Sequence, residues 1–411
     1  MPKPDTRVLI VGAGIVGLAT ACRLAENGYD VTVIDRSDAA GDGSSYANAG
    51  QLLFDRIGAM GSPAFLRSLP HTLFDASQGV RAMGLANPAN WRWAGQFVRE
   101  CTAQAWQANT ARLLHLAHLS RQVMGDFQTR HQMDFDWRRP GKLVTHATPQ
   151  ALETARVAAE FQARFGGRHN VLSAAECVAH EPALAGAQRP IAGAIHLPDA
   201  EVGDCNLCCQ ELARLLVGKL RGNIIYDTTV TGIRQTGNRV VAVECGTRVI
   251  ESDHFILATG IGTPKLLRGR FKGRKPMTGV LGMSLTYPVG EAPPNLSVTD
   301  ASGKFVMVRL GNRLRVAGNA IFSNRLRPRP DDVRTLMAKA QELMPGAANF
   351  AAKPDIWIGA RPQTPDDLPM IGRAGAENLY INAGHGSLGW TLAFGSAEAL
   401  VQVIRDAVEI A

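Results

Sequence analysis

Near the N-terminus, Gly12, Gly14 and Gly17 form a GxGxxG turn between an apolar β-branched run, Thr6 to Val11, and a helical run, Ile15 to Asn27. A second apolar run, Val31 to Ile34, follows the stop at Gly28 and ends on Asp35, 21 residues beyond Gly14. Strand, glycine turn, helix and strand in that order make a βαβ unit. Its first glycine permits the sharp turn, its second lets backbone N–H groups approach a pyrophosphate, and its third lets helix pack on strand. The helix N-terminus at Ile15 and Val16 favours the phosphate charge. Asp35 can accept a hydrogen bond from a ribose 2′-OH, and its charge disfavours a 2′-phosphate. The turn therefore predicts a bound dinucleotide, against the plainer alternative of a structural glycine turn.

At 411 residues the chain allows two or three domains, and 45% hydrophobic with 19% charged residues excludes disordered and collagen-like classes. The longest uncharged run, Val8 to Cys22, is fifteen residues fenced by Arg7 and Arg23, short of a membrane span. No convincing cleavage site follows it, and seven cysteines lack a pairing rhythm, so a cytoplasmic protein is expected. Net charge is +8, with a basic cluster at Arg268, Arg270, Lys272, Arg274 and Lys275. A solvated loop explains such a run, and so does a peripheral contact with an anionic inner-membrane surface. Only Phe271 interleaves it, which argues against nucleic acid.

Downstream, one or two long helices are expected over Ala89 to Phe127, a strand over Pro140 to Thr145, and helices over Pro149 to Phe165 and Cys205 to Leu220. Short strands follow at Asn223 to Tyr226, Val230 to Gln235, Arg239 to Glu244 and Arg248 to Glu251, then a buried strand from His254 to Ala258. Leu285 to Tyr287, Lys304 to Leu310 and Arg313 to Ala317 suggest a separate antiparallel sheet. The tail reads strand, glycine turn and helix: Leu379 to Asn382, Gly384-His385-Gly386, and Trp390 to Arg405. Trp91, Trp93 and Trp106 are read as packing residues, and Cys205, Cys208 and Cys209, on one helix face, as core thiols rather than metal ligands.

Between FAD and NAD, the late turns at Thr259-Gly260 and Gly384 to Gly386 favour FAD, whose ring extends away from the first βαβ unit and needs other loops to hold it. A helix beginning near Leu388 would aim N–H groups where charge develops on reduction.

Five segments in order carry a resemblance: Gly12 to Gly17, Tyr46-Ala47-Asn48-Ala49-Gly50-Gln51, Gly203-Asp204, Gly359 to Asp366, and Ala383 to Thr391. Together they resemble the small subunit of bacterial D-amino-acid dehydrogenase, in the D-amino-acid oxidase superfamily of flavoproteins. The resemblance implies an α/β fold: an FAD-binding Rossmann-like domain, 1–50, 204–268 and 356–411, with a discontinuous α+β substrate domain, 51–203 and 269–355, carrying an antiparallel sheet. It implies noncovalent FAD, a small D-amino-acid substrate, and electrons passed to a respiratory acceptor. Cofactor contacts are expected from Gly12, Gly14, Ile15, Val16, Gly17, Asp35, Arg36, Ser45, Ala47, Asn48, Ala49, Gly50, Gln51, Val230, Thr259, Gly260, Arg361, Gly384, His385, Gly386, Ser387, Leu388, Gly389, Trp390 and Thr391.

Arg361 is expected to grip the substrate carboxylate, as a planar guanidinium can do bidentately; pairing with Asp366 or Asp367 is the alternative. His385 beside the ring can tune the amine's protonation or serve through its backbone alone. Gln51 and Met283 complete the expected substrate contacts. Leu281-Gly282-Met283-Ser284 departs from the Lys-Gly-Tyr-Ser usual in the family, and a methionine supplies no hydroxyl. A more apolar pocket would suit cyclic or apolar D-amino acids of the D-proline or hydroxyproline type. An oxygen-using glycine or sarcosine type oxidase, a non-catalytic flavin relay subunit and an NAD-binding protein are the other functions the residues allow.

Overall fold

The computed structural model describes residues 6–67, 80–82, 88–164, 166–267, 275–322 and 329–409. Strand Arg7–Val11 is buried from Val8 onward, as its unbroken apolar sequence requires of a parallel strand covered on both faces. It pairs in parallel with Asp30–Ile34 on one side and His254–Leu257 on the other. Asn223–Ile225 and Leu379–Ala383 extend the sheet in parallel, and Met370–Arg373 closes one edge antiparallel. Segments far apart in the chain thus share one sheet. Helices Ile15–Glu26, Cys205–Gly218 and Gly389–Glu409 contribute to one core over it, in which Cys205, Cys208 and Cys209 are wholly buried. Burial drives the Cys208 and Cys209 thiols well above their ordinary values, so they pack as small apolar groups.

The second sheet is larger. In order it runs Asp355–Gln363, Thr278–Pro288, Arg313–Phe322, Phe305–Leu310, Ser297–Asp300, Lys142–His146, Gly193–Leu197 and Asn170–Ser173, with Val80–Ala82 beside Arg313–Phe322. Its apolar face, with Leu285, Tyr287 and Met307, packs on helix Pro330–Leu343 through Leu336 and Ala340. A separate three-stranded antiparallel sheet comprises Gly232–Thr236, Arg239–Cys245 and Arg248–Glu251. Its turns fall at Gly237 and Gly246, both at positive φ.

Several sequence expectations need correction. The strand expected from Leu285 begins at Thr278, so Leu281 to Ser284 lies inside it. The segment carrying Arg361 is a strand of the second sheet, so a nucleotide-domain boundary at residue 356 does not follow the sheets. Its sequence, DIWIGARPQ, runs three apolar residues together and carries Pro362, which hides the alternation that marks a strand. The long helical stretch divides into Pro88–Glu100 and Ala103–His131, with Thr102 capping the second. Trp93 and Trp106 pack as expected and donate to the carbonyls of Gln363 and Ala59, at 2.9 and 3.0 Å. Trp91 does not: it is 63% exposed. Of the basic cluster, Arg268 to Arg274 lie outside the described residues, and Lys275 pairs with Asp366.

Candidate active site

A cavity of about 620 Å3 opens where the two sheets meet, within the range of small-molecule and cofactor sites. At one end the N-terminus of helix Ile15–Glu26 is exposed by the glycine turn. Gly12, at φ 116°, brings the turn so close to the Ala258 carbonyl that a Cβ would stand 2.5 Å from its oxygen. Gly17 does not border the cavity; it packs against the Gly12 backbone, the closeness that the third glycine provides. Asp35 ends its strand at the cavity wall and accepts from the amides of Ala13 at 2.6 Å and Ser37 at 2.9 Å. Ser45 Oγ accepts from the Ile15 amide at 3.1 Å.

The loop from Ser44 to Gln51 is latched to the second sheet. Ser44 Oγ donates to Ala360 O at 2.6 Å, Ser284 Oγ to Ala47 O at 2.7 Å, and Arg315 Nη1 to Asn48 O at 3.2 Å. Asn48 Oδ1 in turn accepts from the Gly50 amide at 2.9 Å. These bonds fix Ala47 to Gln51 against the cavity from the far side. Gln51 Oε1 accepts from Lys142 Nζ at 3.0 Å, and its amide nitrogen donates to Ser297. Lys142 is buried with no carboxylate beside it, and desolvation pulls its pKa down to about 8.

The late turn supplies the opposite wall. Strand Leu379–Ala383 runs into Gly384 at φ 87° and Gly386 at φ 54°, and helix Gly389–Glu409 starts directly behind. His385 is buried there and desolvation drops its pKa to about 3, so the imidazole is neutral in the working range. Its Nε2, the Trp390 Nε1 and the Asn382 Oδ1 are buried without hydrogen-bond partners among the described residues. Buried polar atoms are rarely left so, and all three belong to residues bordering the cavity.

Arg361 projects from strand Asp355–Gln363 into the same space. It has no acidic partner among the described residues, and desolvation lowers its pKa. Neither Asp366 nor Asp367 takes it. Asp366 pairs with Lys275, while Asp367 accepts from the amides of Met60 at 2.6 Å and Gly61 at 3.3 Å and from the Gln363 side chain. A cation kept unpaired beside a cavity is a binding group in search of an anion.

Apart from Gly17, every residue expected from the sequence borders the cavity, including Arg36, Val230, Thr259, Gly260 and the run Gly384 to Thr391. Met283 does so too while also packing in the apolar core beneath the sheet; of its neighbours, Gly282 borders the cavity and Ser284 is covered by its bond to the Ala47 carbonyl. Sequence reasoning did not single out Gly282, Trp357 and Gly359, all on the cavity wall, or the buried Lys142 behind Gln51. An isolated lysine in a β-branched run was the one available signal for the last.

The glycine turn at a helix N-terminus, the acidic strand end and the orphaned polar atoms fit FAD. Gly12, Gly14 and Ile15 would hold its pyrophosphate, Asp35 its ribose, and Ala47 to Gln51 with His385 to Thr391 its ring.

A sequence profile described as FAD dependent oxidoreductase matches residues 7–403. The chain is 38% identical over 403 residues to a D-amino acid dehydrogenase 2 of Pseudomonas aeruginosa, covering 97% of this chain and 94% of that protein. It is 35% identical over 411 residues to a D-amino acid dehydrogenase 2 of Ralstonia nicotianae, covering 97% and 96%. Among solved structures, glycine oxidase from Bacillus cereus superposes with a TM-score of 0.75 at 19% identity, covering 98% of this chain and 95% of that one. L-Proline dehydrogenase from P. horikoshii gives 0.73 at 17% identity, covering 99% and 94%. These two likenesses are of fold.

Proposed function

From the premise that the chain belongs to the FAD dependent oxidoreductase family, we propose that it oxidatively deaminates D-amino acids with apolar or cyclic side chains and passes the electrons to a respiratory acceptor. Bound FAD supplies the two-electron acceptor for the Cα–H, leaving from a primary amine an imino acid that water converts to a 2-oxo acid and ammonia, and from a cyclic secondary amine such as D-proline a cyclic imine that keeps its nitrogen.

The observation that carries this reading is Arg361: an unpaired guanidinium facing a cavity fit for a flavin. Its fork would bind the α-carboxylate and orient Cα, which is most of what this chemistry asks of a protein. His385, neutral at working pH, neither takes the carboxylate nor repels an incoming ammonium. Among the described residues the acids bordering the cavity are Asp35 and Asp42, both on the nucleotide side. No described carboxylate near Arg361 is there to pair with a cationic substrate side chain, whereas Leu53, Trp357 and Trp390 offer apolar wall. A membrane-bound acceptor accords with the basic run ending at Lys275, and no helix among the described residues is long and apolar enough to cross a membrane.

Anaerobic bleaching of the purified yellow protein by a panel of D-amino acids tests the proposal, with peroxide yield in air separating a dehydrogenase from an oxidase. D-proline or D-alanine should reduce it faster than D-arginine or D-lysine; the reverse order, or no bleaching by any of them, refutes it.

A further inference from the structure

Two glycines face each other across the strands that carry the carboxylate clamp. Gly282 of Thr278–Pro288 pairs directly with Gly359 of Asp355–Gln363. Alternate residues of a strand share a face, so Trp357, Gly359 and Arg361 project to one side, and all three border the cavity. A Cβ added to Gly359 would overlap the six-membered ring of Trp357, standing only 3.0 Å from Cζ3 and closer still to Cζ2 and Cη2. One added to Gly282 would stand 2.5 Å from Arg361 Nη2 and 2.9 Å from its Cζ. The indole therefore lies along its own strand over Gly359, and the guanidinium folds over Gly282. From opposite ends of the strand they converge on one glycine pair.

Glycine inside a strand is unfavourable relative to alanine and marks a close approach. Here the cost has a counterpart at each position: one glycine seats an aromatic ring, the other a cation. We infer that Trp357 is the specificity-determining wall of the substrate pocket, its indole laid beside the carboxylate clamp because Gly359 has no side chain. This rests on the reading of Arg361 as the carboxylate site. A substrate held there presents its side chain to the indole. A methyl group or a saturated five-membered ring lies against the π face, while a large aromatic side chain meets the indole as a steric limit, on a strand whose backbone is held by pairing with Thr278–Pro288.

The test compares wild type with W357A, W357F and G359A. Anaerobic kcat/KM is measured for D-phenylalanine and D-alanine, and dissociation constants by calorimetry for benzoate and acetate, carboxylates that do not react. W357A should raise both the D-phenylalanine to D-alanine ratio and the benzoate to acetate affinity ratio by about tenfold or more, the size expected when a pocket wall is removed. G359A, whose methyl displaces the indole, should change both ratios, and W357F should fall between wild type and W357A. Unchanged ratios in W357A and G359A, with D-alanine turnover intact, overturn the wall and leave the clamp standing. Should W357A fail to hold flavin, the ratios in W357F and G359A decide by the same criterion. Wild type that no D-amino acid reduces removes the underlying reading, and the wall with it.

Discussion

Replacing Arg361 by methionine keeps the length of the side chain and removes its charge and fork. In the free protein the guanidinium has no acid beside it among the described residues and is partly desolvated, so the fold gains nothing there from its charge and bears some cost of burying it. Bound to a carboxylate it would make two charge-assisted hydrogen bonds, each about 1.5–3 kcal/mol. Losing both removes about 3–6 kcal/mol of transition-state binding, or roughly two to four orders of magnitude in kcat/KM at 1.36 kcal/mol per decade. Thermal unfolding of the same variant should show stability equal to or above that of wild type, because function and stability pull in opposite directions at this residue. Arg361→Lys restores the charge without the fork and should recover only part of the loss. Anaerobic stopped-flow reduction by D-alanine measures the first effect and a melting curve the second. Wild-type kcat/KM in the methionine variant, or a melting temperature lowered as if a core residue had been cut, would show that Arg361 is a structural cation and that the site lies elsewhere.

Gly282→Ala pushes a methyl into the guanidinium rather than into backbone, and a flexible side chain can yield. The fold and the flavin content should survive while KM for D-alanine rises about ten- to a hundredfold, as misplacement near the reacting centre does; an unchanged KM refutes the glycine seat. Lys142 loses its proton in the native state near pH 8, whereas in the unfolded chain its pKa returns to 10.5. Between those values the unfolded chain binds the extra proton, so stability rises with pH across that window, and below about pH 8 the full penalty is present. Lys142→Met should therefore be more stable than wild type at pH 7, by on the order of 2 kcal/mol, and should lose that slope; chemical denaturation at pH 7, 9 and 10.5 measures both.

What could be read from the sequence was whatever lies contiguous along the chain. The glycine turn, the strand ending at Asp35, the Tyr46 to Gln51 loop and the Gly384 to Thr391 turn each hold their meaning within a few residues, and all reach the cavity. What stayed hidden depends on register. Gly282 and Gly359 are 77 positions apart, and nothing in either segment says that they pair. A strand's side chains alternate between faces, so the side chain looking into a site is fixed by the pairing, and a motif of four residues does not disclose its inward pair. That is how Met283 drew attention as the departure from the family pattern while Gly282 was passed over: the methionine packs in the core and borders the cavity as well, but the glycine before it is what leaves room for Arg361. The absent hydroxyl is therefore a weaker guide to substrate than the glycine pair, since the pair decides where both the cation and the indole can lie. In a sheet-floored pocket of this kind, selectivity is written in the residues that are missing side chains, and a sequence read one strand at a time records them only as gaps.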